Sequence, residues 1–491
     1  MVHDAHGFWI AEAGSPAVLP ALEGDTSADV VVIGGGYTGL WTAWHLLDAA
    51  PDAQVVVLEA GRCGHGPSGR NGGFVSSVDL SVPTLRDAYG EPAALAWAAA
   101  ARATVDAIGA WCEAEGVDAW YRRGGELCVS TAPAQDGVGT GAVAAARAVG
   151  AAASDAAATV AGRPAAGEAA TGDAASGAGP VVIAQDAGAA RAHCASPVFR
   201  GGVFVPAGAT VQPARLAFGL RERLLARGAR IFEGTRATGA RPAPAGICVS
   251  TPSGRVRARM AVFAINAATG TLAPFRNRLT VSSSHIVCTE PVPDVVDELG
   301  WRGGEAISDG RALLHYMRTT RDDRIVFGWA GGRMAAGART GGRMEVDHEV
   351  IAQVSAHLVR FFPQLAARRI AHAWGGPIDV SPTHRPAIVG MPGLPAWAAF
   401  GYTGNGVAPA HLFGRTLAAL VLDRRDEVTR LPFVDPAPRH VPPEPLRIAG
   451  AAVIRRALVR KEAAEEEGRE PDALSAALAA LPGRLGLHIV R

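Results

Sequence analysis

The period of the hydrophobic pattern changes along the chain, and each change marks an element. Val30–Ile33 is an apolar, β-branched run of strand length. Leu40, Trp41, Trp44 and Leu47 then recur at helical spacing, and Val55–Leu58 returns to a strand pattern. Residues 84–115 read as helix, with Leu85, Ala94, Leu95, Trp97, Val105, Ile108 and Trp111 set among alanines. Residues 121–133 read as a hairpin arm, with a turn at Gly124-Gly125 and the strand Glu126–Ser130. Further on come a helix over 213–227, a strand over 230–233, and a hairpin near Ser253-Gly254 leading into a strand over 260–265. Strands dominate from 279 to 332, where Leu314, Tyr316 and Arg318 alternate with Leu313, His315 and Met317. That alternation fits a sheet with one face over a pocket. Val346, Val350, Ile351, Val354, Leu358 and Phe361 mark an amphipathic helix over 344–362, and a last helix reaches Leu422.

Two stretches break the pattern. Residues 134–180 are Ala/Gly-rich and almost lack large apolar side chains after Val160. Such a segment buries too little surface to offset its ordering entropy, so a mobile insert is expected, with a weak alanine-rich helix over 142–160. The tail, 431–491, is Pro-rich and then helical; residues 455–470, "RRALVRKEAAEEEGRE", read as a solvated helix of mixed charge. A homo-oligomer or partner contact through that tail is compatible with the pattern.

Between the first strand and helix, Gly34, Gly36 and Gly39 stand in G-x-G-x-x-G spacing. The first glycine allows the tight turn, the second lets a pyrophosphate approach the backbone, and the third lets helix and strand pack closely. The helix N-terminus, at Tyr37 and Thr38, offers unpaired N–H groups to phosphate. Glu59 ends the second strand, where the acid that binds ribose hydroxyls is expected. After it comes "AGRCGHGPSGRNGG", a glycine-dense loop that begins with Ala60 and Arg62 and ends in Ser68, Gly69, Arg70, Asn71 and Gly72. At that end, backbone donors and one Arg, Arg70, suit a second wrap around a pyrophosphate or a flavin edge, which a simple NAD enzyme does not need.

Composition narrows the class further. A length of 491 residues allows two or three domains, and a net charge of +1 without a basic stripe argues against nucleic acid. The N-terminus lacks the charge and apolar regions of a signal peptide, and the best membrane candidate, 408–422, is interrupted by Gly414 and Arg415. A cytoplasmic protein with no membrane partner is expected. Cys63, Cys112, Cys128, Cys194, Cys248 and Cys288 form no C-x-x-C pair and read as buried free thiols, with no metal site. Lys461 is the only lysine, which excludes a pyridoxal-phosphate Schiff base and a Walker A loop.

The Ser68–Gly73 loop end resembles that of FAD enzymes of the glycine oxidase / D-amino-acid oxidase superfamily, most of all the gamma-glutamylputrescine oxidoreductases. Three later blocks are similar to that family in the same order. They are Asn266-Ala267-Ala268-Thr269-Gly270; Trp374-Gly375-Gly376 with Ser381-Pro382-Thr383, Pro386 and Gly390; and Gly401, Gly404, Asn405, Gly406 and Val407 before the last helix. The resemblance runs from residue 8 to 435, the insert excepted. It implies an α/β fold, with a Rossmann-like, glutathione-reductase-like FAD-binding domain over 1–90, 195–275 and 370–430. An antiparallel-sheet substrate domain would take 91–194 and 276–369, and the C-terminal helical tail 431–491. FAD contacts are implied at the first two glycine blocks and at Asn266, Ala267, Gly404, Asn405, Gly406 and Val407. The stretch leading through Ser381, "WGGPIDVSPT", has no Cys, and no suitable His follows the first loop, so the FAD is expected to be non-covalent.

The implied activity is oxidation of a small amine or N-substituted amino acid, gamma-glutamylputrescine-like, by hydride transfer to flavin N5, with hydrolysis of the imine. The electron acceptor is O2 or another molecule, since the lysine that related oxidases place over the flavin has no counterpart on the strand over 324–329. Candidates for the substrate pocket are His285, His315, Tyr316, Arg318, Trp329 and Trp374. Of these, Tyr316 and Arg318 are the residues the family would use for a substrate carboxylate, against a structural ion pair for Arg318. N-methyl amino acid or aminophosphonate oxidation, and a flavin-binding sensor without turnover, stand as alternatives. A hydroxylating monooxygenase is disfavoured because Gly404-Asn405-Gly406 replaces its usual Gly-Asp pair.

Overall fold

The computed structural model describes residues 2–3, 6–161 and 181–487. The fully apolar run at 30–33 suits a strand covered on both faces, and it forms the buried end of β1 (Thr26–Ile33). The chain turns into α1 (Tyr37–Ala49) and returns as β2 (Val55–Leu58), parallel to β1 in the register Val30↔Val55 to Ile33↔Leu58. Strand β3 (Glu126–Ser130) lies elsewhere, and β4 (Gly254–Phe263) returns beside β1 with Phe263 opposite Ile33. Around β1, β2 and β4 an eight-stranded sheet is completed by Arg230–Phe232 beyond β2 and by four strands from 239–251 and 387–400 on the β4 side.

The second sheet has ten strands, built on β5 (Thr280–Thr289), β6 (His315–Thr319) and β7 (Ile325–Trp329). Helix α2 (His348–Phe361) covers one face before β8 (Ile370–Val380) pairs with β5 along its whole length. Strand β9 (Ala396–Phe400) belongs to the first sheet and leads into α3 (Val407–Val421). Helix α4 (Leu446–Glu466) closes the described chain with a short helix, Ala473–Arg484. The ten-stranded sheet is antiparallel apart from two pairs: β3 with Ala306–Asp309, and Val2–His3 with β8. It takes in Gly201–Val205 and Ile370–Val380, two strands that the expected boundaries assign to the cofactor domain. Helices α1 and α3 press together because position 414 is glycine: a Cβ there would sit 2.5 Å from that of Trp41.

Several expectations need correction. The helix over 84–115 is two helices, Val82–Tyr89 and Glu91–Ala114, broken where Gly90 adopts φ +81° and Pro92 cannot continue the ladder. The strand at 126–130 is present, but not in a hairpin: it pairs with Ala306–Asp309 and Gly201–Val205, both distant in sequence. The helix expected from 344 starts at His348, because the Asp347 carboxylate caps it by accepting from the Glu349 and Val350 N–H groups. Of the 134–180 insert, Thr140–Ala161 is a helix with Ala142, Val143 and Ala145 buried, while 162–180 lie outside the described residues. The tail helix is not simply solvated: α4 buries Leu458 in the core beneath the ten-stranded sheet. Its Glu462 carboxylate accepts from the Leu313 N–H at 3.1 Å. The six cysteines are free and buried.

Candidate active site

A cavity of about 450 Å³ opens where β1, β2, β4 and β8 end and where α1 and α3 begin. The turn at 34–39 allows no side chain at its tightest points. Gly34 has φ +112°, and a Cβ at Gly39 would lie 1.9 Å from the Gly34 carbonyl oxygen. Neither α1 nor α3 has a side-chain cap at its N-terminus, so both present backbone N–H groups and positive dipole ends toward the cavity. The Tyr37 N–H donates to Ser68 Oγ at 2.8 Å, which ties the second glycine loop to the first.

Glu59 holds both loops. Its carboxylate accepts from the Gly35 and Gly61 N–H groups, each at 2.7 Å, and burial raises its pKa against these hydrogen bonds. Asn71 acts within its own loop: Nδ2 donates to the Pro67 and Ser68 carbonyls, and Oδ1 accepts from the Gly73 N–H. Across the cavity Asn266 takes φ +46° and donates from Nδ2 to Asp379 Oδ1 at 3.2 Å. Its buried Oδ1 has no hydrogen-bond partner among the described residues. Asp379 also accepts from the Gly401 and Tyr402 N–H groups, and burial pushes its carboxyl up to about 7.

The proposed cofactor contacts divide in two. Gly34, Gly36, Tyr37, Thr38, Glu59, Ala60, Arg62, Ser68, Asn71, Asn266, Ala267, Gly404, Gly406 and Val407 line the cavity. Gly39, Gly69, Arg70, Gly72 and Asn405 do not; they shape the loops that do. Gly69 lies against the Gly64 carbonyl, and Gly72 lies against the Tyr316 ring. Arg70 donates to Glu345 Oε1 at 3.2 Å, and Asn405 closes a turn onto Tyr402 O. Two uncapped helix starts, an acid at a strand end and an orphaned amide oxygen form a donor and acceptor set that fits a dinucleotide bearing a heteroaromatic ring.

None of the six pocket candidates lines this cavity. His285, Trp329 and His315 stand in cross-strand register and therefore share a face of the ten-stranded sheet. On that face His315 Nε2 lies 2.8 Å from His357 Nδ1 of α2, and its Nδ1 lies 2.7 Å from Asp309. Trp329 packs edge to face with His357, and buried His285 has its pKa lowered to about 4 by desolvation. Tyr316, Arg318 and Trp374 are on the opposite face. There Arg318 is 4% exposed and donates to the Gly73, Val211 and Thr319 carbonyls, a brace for the second glycine loop rather than an ion pair. Burial lowers its pKa to about 9. Trp374 is fully buried and donates from Nε1 to the Arg70 carbonyl.

Tyr316 is the one candidate that keeps partial exposure. Its hydroxyl lies 2.6 Å from Ser284 Oγ, and its ring meets Phe74 edge on and touches Gly72. Desolvation pushes the phenol up to about 12. Sequence reasoning missed Asp379, Tyr402 and Ser284. Asp379 carried a signal, being the one carboxylate in the largely apolar strand "IAHAWGGPIDV", where a buried charge requires partners.

The family model described as FAD dependent oxidoreductase (DAO) matches residues 29–420. Gamma-glutamylputrescine oxidoreductase of Escherichia coli (strain K12) is 27% identical over 438 residues, 88% of this chain and 93% of that one. Probable oxidoreductase OrdL of Rhizobium meliloti (strain 1021) is 27% identical over 421 residues, 84% of this chain and 87% of that one. Among solved structures, glycine oxidase from Geobacillus kaustophilus superposes with a TM-score of 0.64 at 18% identity, over 85% of this chain and all of that one (100%).

Proposed function

The chain belongs to the DAO family of FAD-dependent oxidoreductases, and from that premise we propose that it oxidises the terminal amine of a gamma-glutamylputrescine-like substrate in the cytoplasm. It is an FAD-dependent oxidoreductase acting on amines or amino acids. FAD, when bound, supplies the two-electron acceptor for oxidation of a C–N bond. The cavity-lining residues named above would hold it, with no cysteine on β8 to attach it covalently.

The observation that carries the substrate reading is the partly exposed pair Tyr316 and Ser284 beside Gly72 and Phe74. These residues orient an amine and exclude water, which is most of what amine oxidation asks of a protein. The phenol, with its pKa near 12, stays protonated and serves as a hydrogen-bond donor, not a base. The two buried histidines, His285 and His315, lie on the other sheet face, so neither takes a proton from the substrate nitrogen. The Nε and Nη1 donors of Arg318 are taken by three carbonyls, so it lacks the free two-nitrogen fork that clamps an α-carboxylate, which favours a plain amine terminus over an α-amino acid.

The test is product analysis with gamma-glutamylputrescine, putrescine, sarcosine and glycine, using O2 and an artificial dye as acceptors in parallel. Aldehyde and ammonia formed fastest from gamma-glutamylputrescine are expected. Preference for glycine or sarcosine would overturn the substrate assignment and leave the FAD assignment standing.

A further inference from the structure

A second cavity, of about 570 Å³, lies between the Val82–Tyr89 helix, the turn at 381–387 and residues 436–439. It shares no lining residue with the cofactor cavity, although the two are separated by one wall of chain. Asp379 and Tyr402 face the first cavity, whereas Ser381 and Phe400 face the second. Three arginines line it, Arg278, Arg385 and Arg439, against one carboxylate, Asp87, with Ser381 and Thr383 adding hydroxyls.

Two of the guanidinium groups are held in place by contacts that leave donors unused. Arg385 gives one N–H to the Thr84 carbonyl at 2.9 Å and lies over the Tyr89 ring at 5.3 Å. An arginine carries five N–H donors in a rigid fork, so most of this one's capacity remains. Arg278 is half-buried and stacked against Phe275 and Phe400, 5.6 and 5.5 Å from their centroids. Its nearest counter-charge, Asp435, is itself engaged by the Gly390 N–H at 2.9 Å. The turn between them is rigid because Ser381 Oγ donates to the Arg385 carbonyl at 2.8 Å. A partly desolvated arginine whose charge is poorly compensated lowers its own pKa, and burial does this to Arg278. Planar guanidinium donors lining one concave space suit recognition of phosphate or carboxylate oxygens.

We propose that this second cavity binds a small anion carrying two or more phosphate or carboxylate charges, independently of the cofactor and of the amine substrate.

The experiment is calorimetric titration of the FAD-loaded protein with inorganic phosphate and, separately, with succinate, at constant ionic strength. Saturable one-site binding of at least one anion is expected. The Arg385→Gln/Arg439→Gln protein, checked for unchanged FAD content, should bind about tenfold more weakly or worse, the effect of losing charge-assisted hydrogen bonds. Asp87→Asn changes an exposed residue that carries no fold, and it should tighten binding by removing repulsion. Binding of phosphate alone would identify a phosphate-bearing ligand, and binding of succinate alone a dicarboxylate. No saturable binding of either anion, or affinity unchanged in both variants, overturns the proposal.

Discussion

The Thr38 hydroxyl and the Tyr402 phenol lie 2.7 Å apart, so one buried hydrogen bond joins the first turn of α1 to the loop that enters α3. Both helix starts face the same cavity, and this bond sets their separation. Tyr402 is buried enough that its phenol pKa is raised by desolvation, so the bond is one between neutral groups.

Tyr402→Phe removes that bond and leaves Thr38 Oγ1 without it. A stability loss of about 1 kcal/mol is expected, together with weaker FAD binding because the two helix starts lose their fixed spacing. Thermal unfolding of the apoprotein and an FAD titration measure the two effects separately.

Gly39→Ala places a methyl group 1.9 Å from the Gly34 carbonyl oxygen and 3.1 Å from the buried Val32 side chain, so a rigid backbone has to shift. The variant should lose about 1–3 kcal/mol of stability and fail to take up FAD. Gly239→Ala, where nothing lies within 4 Å, should behave as wild type in both assays. Absorbance of the purified proteins reads the difference directly.

Arg318 and Tyr316 share a sheet face but have different work. Arg318→Met leaves the Val211 carbonyl without its partner and removes one of the two donors to the Gly73 carbonyl, and it should cost about 1–3 kcal/mol, the cost of a buried acceptor left unsatisfied. Tyr316→Phe should leave the unfolding midpoint nearly unchanged and lower kcat/KM for the amine. The reverse pattern, a stable Arg318→Met protein with defective kinetics, would restore Arg318 to the substrate pocket.

The difference between those two residues shows what the chain's local pattern can and cannot convey. The strand–turn–helix unit at 30–59 was legible because each part acts on its sequence neighbours: Gly39 packs on Gly34, and Glu59 accepts from Gly35 and Gly61. The alternation at 313–318 correctly separated Tyr316 and Arg318 from His315. It could not say that Arg318 would find its acceptors at Gly73 and Val211, 245 and 107 residues away. The docking of α4 was hidden for a related reason. Its buried Glu462 looks like any solvated helix charge until the distant Leu313 N–H meets it. Strand β3 was recognised, but its partners were not, since both come from other parts of the chain.

Asp379 gives the stability of the apoprotein a pH dependence. Burial holds its folded-state pKa at about 7, against about 3.9 in an unfolded chain. Between those values the folded protein retains a proton that the unfolded chain has lost. Its contribution is therefore fully present below about pH 4 and is lost as pH rises through about 7. Glu462, also pushed up to about 7 by burial, acts with the same sign. In Asp379→Asn the thermal midpoint should fall less across that window than in the wild type. An identical slope in both proteins would show that Asp379 is ionised throughout.

The most direct test of the account is the visible spectrum of the purified protein, titrated anaerobically with gamma-glutamylputrescine and a panel of small amines. The account predicts a yellow protein whose flavin band is lost on adding the amine, and lost far more slowly in Tyr316→Phe. A yellow protein that no amine bleaches would contradict the proposed substrate class. A colourless protein that cannot take up added FAD would contradict the reading of the cavity itself.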